Sequence, residues 1–209
     1  MTDFFLDDLK TILPPELTES KKGRLSEGLK QFLKDTLSQE KYYTDFYSTS
    51  NYSYFLQGDL IKELRFPVFD KDSKTYKKLY YDAILLSTTC DVDVNNVRNI
   101  PKKAIIAKII PLDNFVDALA NLEIKNATDI LTQVKNQMYS NVLYLPKSKN
   151  GVDYIAYFDD ISVIEIDELN WLKGDIKNNR IESLDYFGYY LFLFKLSFHF
   201  CRLPEETHR

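Results

Sequence analysis

The chain has 209 residues and a formal net charge of −4. This length suits one ordinary domain with an appended segment, and 44% hydrophobic residues are enough to build a core. Six glycines, set against fifteen tyrosines and fourteen phenylalanines, argue against a disordered chain. The negative charge argues against a protein devoted to DNA binding, because such proteins usually present a basic surface.

Targeting signals and disulfides are not expected. Residues 1–8 contain three aspartates and no basic residue, which is not the order of a secretory signal. No apolar run approaches the roughly 20 residues that a membrane span requires, so no membrane association is expected. Cys90 and Cys201 alone supply no disulfide framework. We therefore expect a cytoplasmic protein.

Residues 1–55 are predicted to form an N-terminal helical extension. Apolar residues recur at helical spacing over 5–13 and again over 25–37, and Pro14 and Pro15 end the first of these helices. The following segment, 42–55, mixes aromatic and polar residues without a clean period. We interpret it as a connector that packs on the domain through its rings.

Residues 56–209 are predicted to form the main domain, which is rich in strands. A lysine-rich hairpin loop at 70–78 separates the first two strands, and a helical insertion occupies 114–138. Several short strands with turn residues between them favour a small barrel or sandwich over a parallel sheet. The predicted strands are 60–66, 83–87, 104–110, 142–145, 154–158 and 161–166.

The C-terminal segment, 181–203, is predicted to be a packing helix. On a helical wheel its polar residues fall on one narrow stripe, so the rest of its circumference is expected to be buried. His199 lies on this stripe and is interpreted as an interface or solvent-edge residue. The stripe consists of Asp185, Gly188, Lys195, His199 and Arg202.

Most standard sites are excluded by their spacing. Gly23 and Gly28 lack the Gly-Lys-Ser/Thr ending of a phosphate loop, and no spaced glycines follow a strand. The two histidines and two cysteines lack the spacing of a zinc site. A calcium-like start at Asp91 fails, because Asn96 and Lys102 stand where the loop requires glycine and glutamate. No metal and no cofactor are expected.

One dense cluster of reactive side chains follows the predicted second strand, and binding sites are commonly built at such strand ends. Cys90 could be a nucleophile if His199, Lys102 or Lys103 served as its base. Alternatively, Cys90 is a small buried hydrophobe and its polar neighbours bond local backbone amides. With the segment that opens the first strand, the cluster is expected to line a groove. The predicted ligand-binding residues are Gly58, Asp59, Ser87, Thr88, Thr89, Cys90 and Asp91.

The order of the predicted elements follows a known pattern. Gly58 and Asp59 open the first strand, a long hairpin leads to the strand at 83–87, and residues 104–107 begin the next. The aromatic and acidic run 154–169 is followed by a terminal helix. Over residues 57–200 this order resembles that of the MazF/PemK toxin family.

The resemblance implies a β-rich α+β fold, a small SH3-like partly open barrel. To it this chain adds N-terminal helices, one inserted helix and a C-terminal packing helix. It also implies a homodimer from a bacterial or phage toxin–antitoxin or defence locus. The family's toxins cut single-stranded RNA without a metal, using an arginine before the second strand and a hydroxyl residue at the end of the third. Tyr81 and Ile110 stand at those positions, and they supply neither a permanent cation nor an aliphatic hydroxyl.

Three functions remain open. The first is a non-catalytic binding module, acting as a homodimer or with a partner protein such as an antitoxin-like or defence component. The second is a divergent endoribonuclease acting on single-stranded RNA, with active-site residues relocated to Arg65, Arg98, Thr89 and Asp91. The third is a transferase or hydrolase that depends on Cys90.

Overall fold

The computed structural model describes residues 46–93, 95–96 and 102–200. The predicted helices at 5–13 and 25–37, and also Arg98, Cys201 and Arg202, lie outside the described residues. Within them, no helix is long and apolar enough to cross a bilayer.

The described chain forms six strands and six helices. The strands are β1 (Leu60–Asp70), β2 (Thr75–Leu85), β3 (Lys103–Pro111), β4 (Val142–Leu145), β5 (Tyr154–Glu165) and β6 (Arg180–Glu182). The helices are α1 (Thr89–Val92), α2 (Leu112–Asn121), α3 (Ala127–Lys135), α4 (Ile166–Lys173), α5 (Ile176–Asn179) and α6 (Tyr186–Phe200).

All six strands join one antiparallel sheet in the order β4-β5-β3-β2-β1-β6. The sheet is not closed, and β4 and β6 form its edges. The α+β class that the sequence predicts is confirmed.

Successive side chains along a strand point to opposite faces of the sheet, and both faces are covered by helices. Ala107 of β3 packs in a cluster with Leu191 and Phe192 of α6. Its neighbour Ile106 packs on the other face with Leu169 of α4. Because each face carries its own helix, a one-residue slip of β3 would send each set of side chains to the cluster shaped for the other set.

A third cluster joins the helical insertion to the sheet through Leu112, Val134 and Ile155. Gln137, just beyond α3, is buried with a φ of 61°. Its side-chain amide donates to the carbonyl of Tyr144 at 2.7 Å and accepts from the backbone N–H of Tyr144 at 3.0 Å. The insertion thus hydrogen-bonds to edge strand β4 as a neighbouring strand would.

Several elements differ from their predicted bounds. β2 begins at Thr75, so much of the predicted lysine-rich loop is strand. The insertion contains two helices rather than one, and β6 occupies the start of the predicted C-terminal helix. The two strands predicted at 154–158 and 161–166 are one strand, β5. Its polar Asp159 and Asp160 sit opposite a register shift in β3, and Asp160 pairs with Lys108 at 3.1 Å.

Two residues of the polar stripe of α6 are buried rather than exposed. Gly188 is buried against Phe46. Only glycine fits there, because a Cβ would lie 2.5 Å from the carbonyl oxygen of Phe46. Lys195 is also buried, and its Nζ donates to the carbonyl of Gln137 at 2.8 Å and to that of Tyr139. Burial lowers the pKa of Lys195 to about 7. For these two residues, the prediction that the stripe is the unburied side of the helix was therefore wrong, while Asp185 and His199 are half-buried.

Candidate functional site

The hydroxyl groups after β2 each accept a backbone N–H. Only the Thr88 bond is local, as one of the two interpretations of the sequence predicts, because the donors to Ser87 and Thr89 lie 18 and 32 positions away. The Thr88 bond begins helix α1, and the Thr89 bond ties that helix to the segment before β1. These hydroxyls therefore hold the turn in place. The pairs are Ser87 Oγ with Ile105 at 2.8 Å, Thr88 Oγ1 with Asp91 at 3.3 Å and Thr89 Oγ1 with Gln57 at 3.1 Å.

Cys90 is a free, exposed thiol. The interpretation of Cys90 as a small buried hydrophobe was wrong, because α1 is a single turn and Val92 is its buried residue. The carbonyl of Cys90 accepts a hydrogen bond from Asn96 at 2.7 Å. Cys90 lines a cleft.

The cleft has a volume of about 480 Å³ and is walled by three separate segments. Residues 53–55 form one wall. Thr89, Cys90 and Val92 of α1, with Asp93 and Asn95 after it, form the second. Leu169, Asn170 and Lys173 of α4 form the third. The lining is mixed, with the apolar Phe55, Val92 and Leu169 beside several polar or charged residues, among them Asp93, Asn95, Asn170 and Lys173. Apolar walls combined with convergent polar groups are typical of a binding pocket.

Of the predicted ligand-binding residues, Thr89 and Cys90 line this cleft. Gly58 has a φ of 87° and packs against Leu184, so it serves the turn before β1. Asp59 is fully buried and forms an ion pair with Arg180, 2.8 Å from Oδ2 to Nε. Asp59 therefore lies behind the cleft wall rather than at the cleft surface.

The Asp59–Arg180 pair fixes the first wall. The Arg180 guanidinium donates to the carbonyl of Tyr52 at 3.0 Å and to that of Tyr54. It also lies 5.5 Å from the centre of the Phe55 ring. Arg180 is thus a positioning residue for residues 52–55. The sequence gives no local signal for it, because its partners are more than 120 positions away.

Burial raises the pKa of the Asp59 carboxyl to about 6, although Arg180 and the backbone N–H of Leu56 favour its charged form. The Leu56 N–H donates to Oδ2 at 2.9 Å. Loss of hydration outweighs these partners because the carboxyl is fully buried.

The candidate bases for Cys90 have other partners. Lys102 donates to the carbonyl of Asp93 at 3.0 Å, Lys103 pairs with Glu165 at 2.9 Å, and His199 pairs with Asp159 at 3.2 Å. Arg65, proposed for a relocated ribonuclease site, pairs with Glu168 at 3.4 Å.

The two positions that match the family's catalytic pair are packed into the sheet. The Tyr81 ring lies edge-on to Phe66 and under the ammonium of Lys108, 4.0 Å from the ring centre. Ile110 packs against the cluster under the helical insertion. Among the described residues, no three histidine, cysteine or acidic side chains gather as metal ligands would.

Neither a model of a known protein family nor a curated protein sequence matches this chain.

Proposed function

We propose that this protein is a non-catalytic binding module and that its cleft takes an apolar side chain from a peptide segment of a partner protein. The observation that carries the proposal is the cleft itself, about 480 Å³ and walled by residues 53–55, α1 and α4. Phe55, Val92 and Leu169 supply the apolar part of the lining, and Asp93 and Lys173 add one charge of each sign. Asn95 and Asn170 supply amides that can bond a peptide backbone.

A wall that is held in place before binding supports this function. Arg180 fixes residues 52–55 through two carbonyls and the buried Asp59, so little ordering is required when a peptide enters. The resemblance in strand order points to a partner of the antitoxin or defence type. The packed Tyr81 and Ile110 favour binding over RNA cleavage.

The test separates the shape of the cleft from the chemistry of its thiol. Peptides selected from a random 12-mer phage library against the purified protein would be measured for affinity by calorimetry. We expect Cys90→Phe, which fills the cleft, to weaken binding at least tenfold. Cys90→Ala keeps the space and removes the thiol, so we expect near-normal affinity. Equal binding by wild type and Cys90→Phe would refute the cleft as the site.

Overexpression in bacteria distinguishes the binding module from an enzyme. We expect normal growth and intact RNA. Growth arrest with RNA fragmentation would instead support the ribonuclease. A transferase or hydrolase activity that is present in the wild type and lost in Cys90→Ala would support the thiol-dependent enzyme.

A further inference from the structure

The hairpin of β1 and β2 extends beyond the rest of the sheet as a two-stranded arm, residues 67–80. β2 pairs with β3 only through Ala83, Ile84 and Leu85, so no third described strand flanks the arm. Residues 71–80 are all exposed. None of residues 67–80 lines the cleft, so the arm is a separate surface.

The register places three aromatic rings on one face of this arm. Phe69 pairs with Tyr76, Lys78 pairs with Pro67, and Tyr80 follows two positions further along. Paired residues and every second residue along a strand share a face. The rings are 51%, 72% and 64% exposed for Phe69, Tyr76 and Tyr80. These exposed rings belong to none of the hydrophobic clusters of the described structure.

The arm is basic although the chain is acidic. It contains four lysines and two aspartates, while the whole chain carries −4. Lys77 pairs with Asp70. Lys71, Lys74 and Lys78 are exposed and have no ion-pair partner in the described part of the chain. Lys78 lies between Tyr76 and Tyr80 on the aromatic face, and Lys71 and Lys74 lie at the tip of the arm.

We propose that this face of the arm binds single-stranded nucleic acid. Bases stack on exposed aromatic rings whatever their sequence, and lysines beside the rings contact the phosphates that recur at each nucleotide. Tyr76 and Tyr80 are four residues apart, which is about 13 Å along an extended strand. That spacing leaves room for a base at each ring.

Other occupants fit the arm less well. A membrane surface would require apolar residues at the tip, and the tip is Lys71, Asp72, Ser73 and Lys74. Phe69 and Tyr76 contact each other edge to face, 5.4 Å between ring centres, and all three rings remain more than half exposed. An acidic peptide would use the lysines but leave these exposed ring faces without a stacking partner. A base-bearing polyanion satisfies both features.

The test measures the affinity of the full chain for three fluorescently labelled 20-mers by fluorescence anisotropy. The probes are single-stranded poly-U RNA, single-stranded poly-dT DNA and an RNA duplex. We expect both single strands to bind more tightly than the duplex. Equal affinity for the RNA and DNA strands would mean that the 2′-hydroxyl is not read, and tighter RNA binding would mean that it is. The Tyr76→Ala/Tyr80→Ala variant should bind either strand at least tenfold more weakly.

Charge and aromatic variants separate the two contributions. Lys74→Glu/Lys78→Glu should weaken binding and reduce its salt dependence, because fewer counterions are released. Matched controls are Trp171→Ala, an exposed ring on α4, and Lys125→Glu, an exposed lysine between α2 and α3, both with unchanged affinity. Three outcomes would overturn the proposal: no single-strand binding at 50 mM salt, equal binding by the double-alanine variant, or arm-dependent binding only to phosphatidylserine vesicles. Each leaves the peptide cleft untouched.

Discussion

At the scale of single residues, Asp59 and Arg180 matter most for the cleft. Replacing Arg180 by leucine would leave a fully buried carboxyl without its cation. We expect Arg180→Leu to lower the free energy of unfolding by about 3–5 kcal/mol, measured by urea denaturation. Asp59→Asn combined with Arg180→Leu should recover part of this loss.

The control for that change is Arg65→Leu, whose pair with Glu168 is partly exposed. Partly exposed pairs contribute about 1 kcal/mol or less. If Arg180→Leu and Arg65→Leu were equally mild, the buried pair would not stabilise the fold as we infer.

The buried carboxyl of Asp59 also predicts a pH dependence. Its pKa of about 6 in the folded state exceeds its ordinary value of 3.8, so between these values the folded state holds more protons. The free energy of unfolding should therefore fall as pH rises from about 4 to about 6, by roughly 3 kcal/mol from this group.

Urea denaturation at pH 4, 5, 6 and 7 measures this slope. Asp59→Asn should remove it, while Asp72→Asn, at an exposed position, should leave it in place. A slope that persists in Asp59→Asn would assign the effect to another group.

At the scale of elements, helix α6 depends on one close approach. Gly188→Ala would place a methyl group against the carbonyl oxygen of Phe46, and we expect a loss of about 1–3 kcal/mol in urea denaturation. Gly174→Ala is the control, because its nearest contact is 3.3 Å away at the end of α4. A Gly188→Ala protein as stable as its control would contradict this packing.

The sequence predicts the strands well where apolar runs are bounded by proline. β4 has the predicted bounds 142–145, and β3 extends the prediction by one residue at each end. β6 was missed because its three residues carry no pattern of their own and pair with Leu60 and Ile61, more than a hundred positions away.

The candidate site was predicted only in part, for the same reason. Thr89 and Cys90 could be singled out because reactive groups cluster after an apolar run. The opposite walls come from residues 53–55 and α4, and only the folded chain brings them beside Cys90. Asp59 was predicted to line the groove because no residue near it in sequence indicates that Arg180 is its ion-pair partner.

At the scale of the whole molecule, the sheet joins two helices that lie on opposite faces. Phe192 of α6 is fully buried and packs against Phe158 of β5. We expect Phe192→Ala to cost about 3–5 kcal/mol. We expect the domain to open as one cooperative unit, so amide hydrogen exchange should accelerate by a similar factor in α6 and α4.

Phe198→Ala, at an exposed position of the same helix, should leave exchange nearly unchanged. Faster exchange confined to α6 in Phe192→Ala would mean that the two faces open independently.

The contact between Gln137 and Tyr144 has a consequence for aggregation through the edge of the sheet. β4 is a run of four buried side chains at the margin of the sheet, the kind of segment onto which another chain could add and start a fibril. The glutamine amide already occupies both outward backbone groups of Tyr144. These two groups are thereby unavailable to an added strand, and Pro146, which follows β4, has no N–H to offer one.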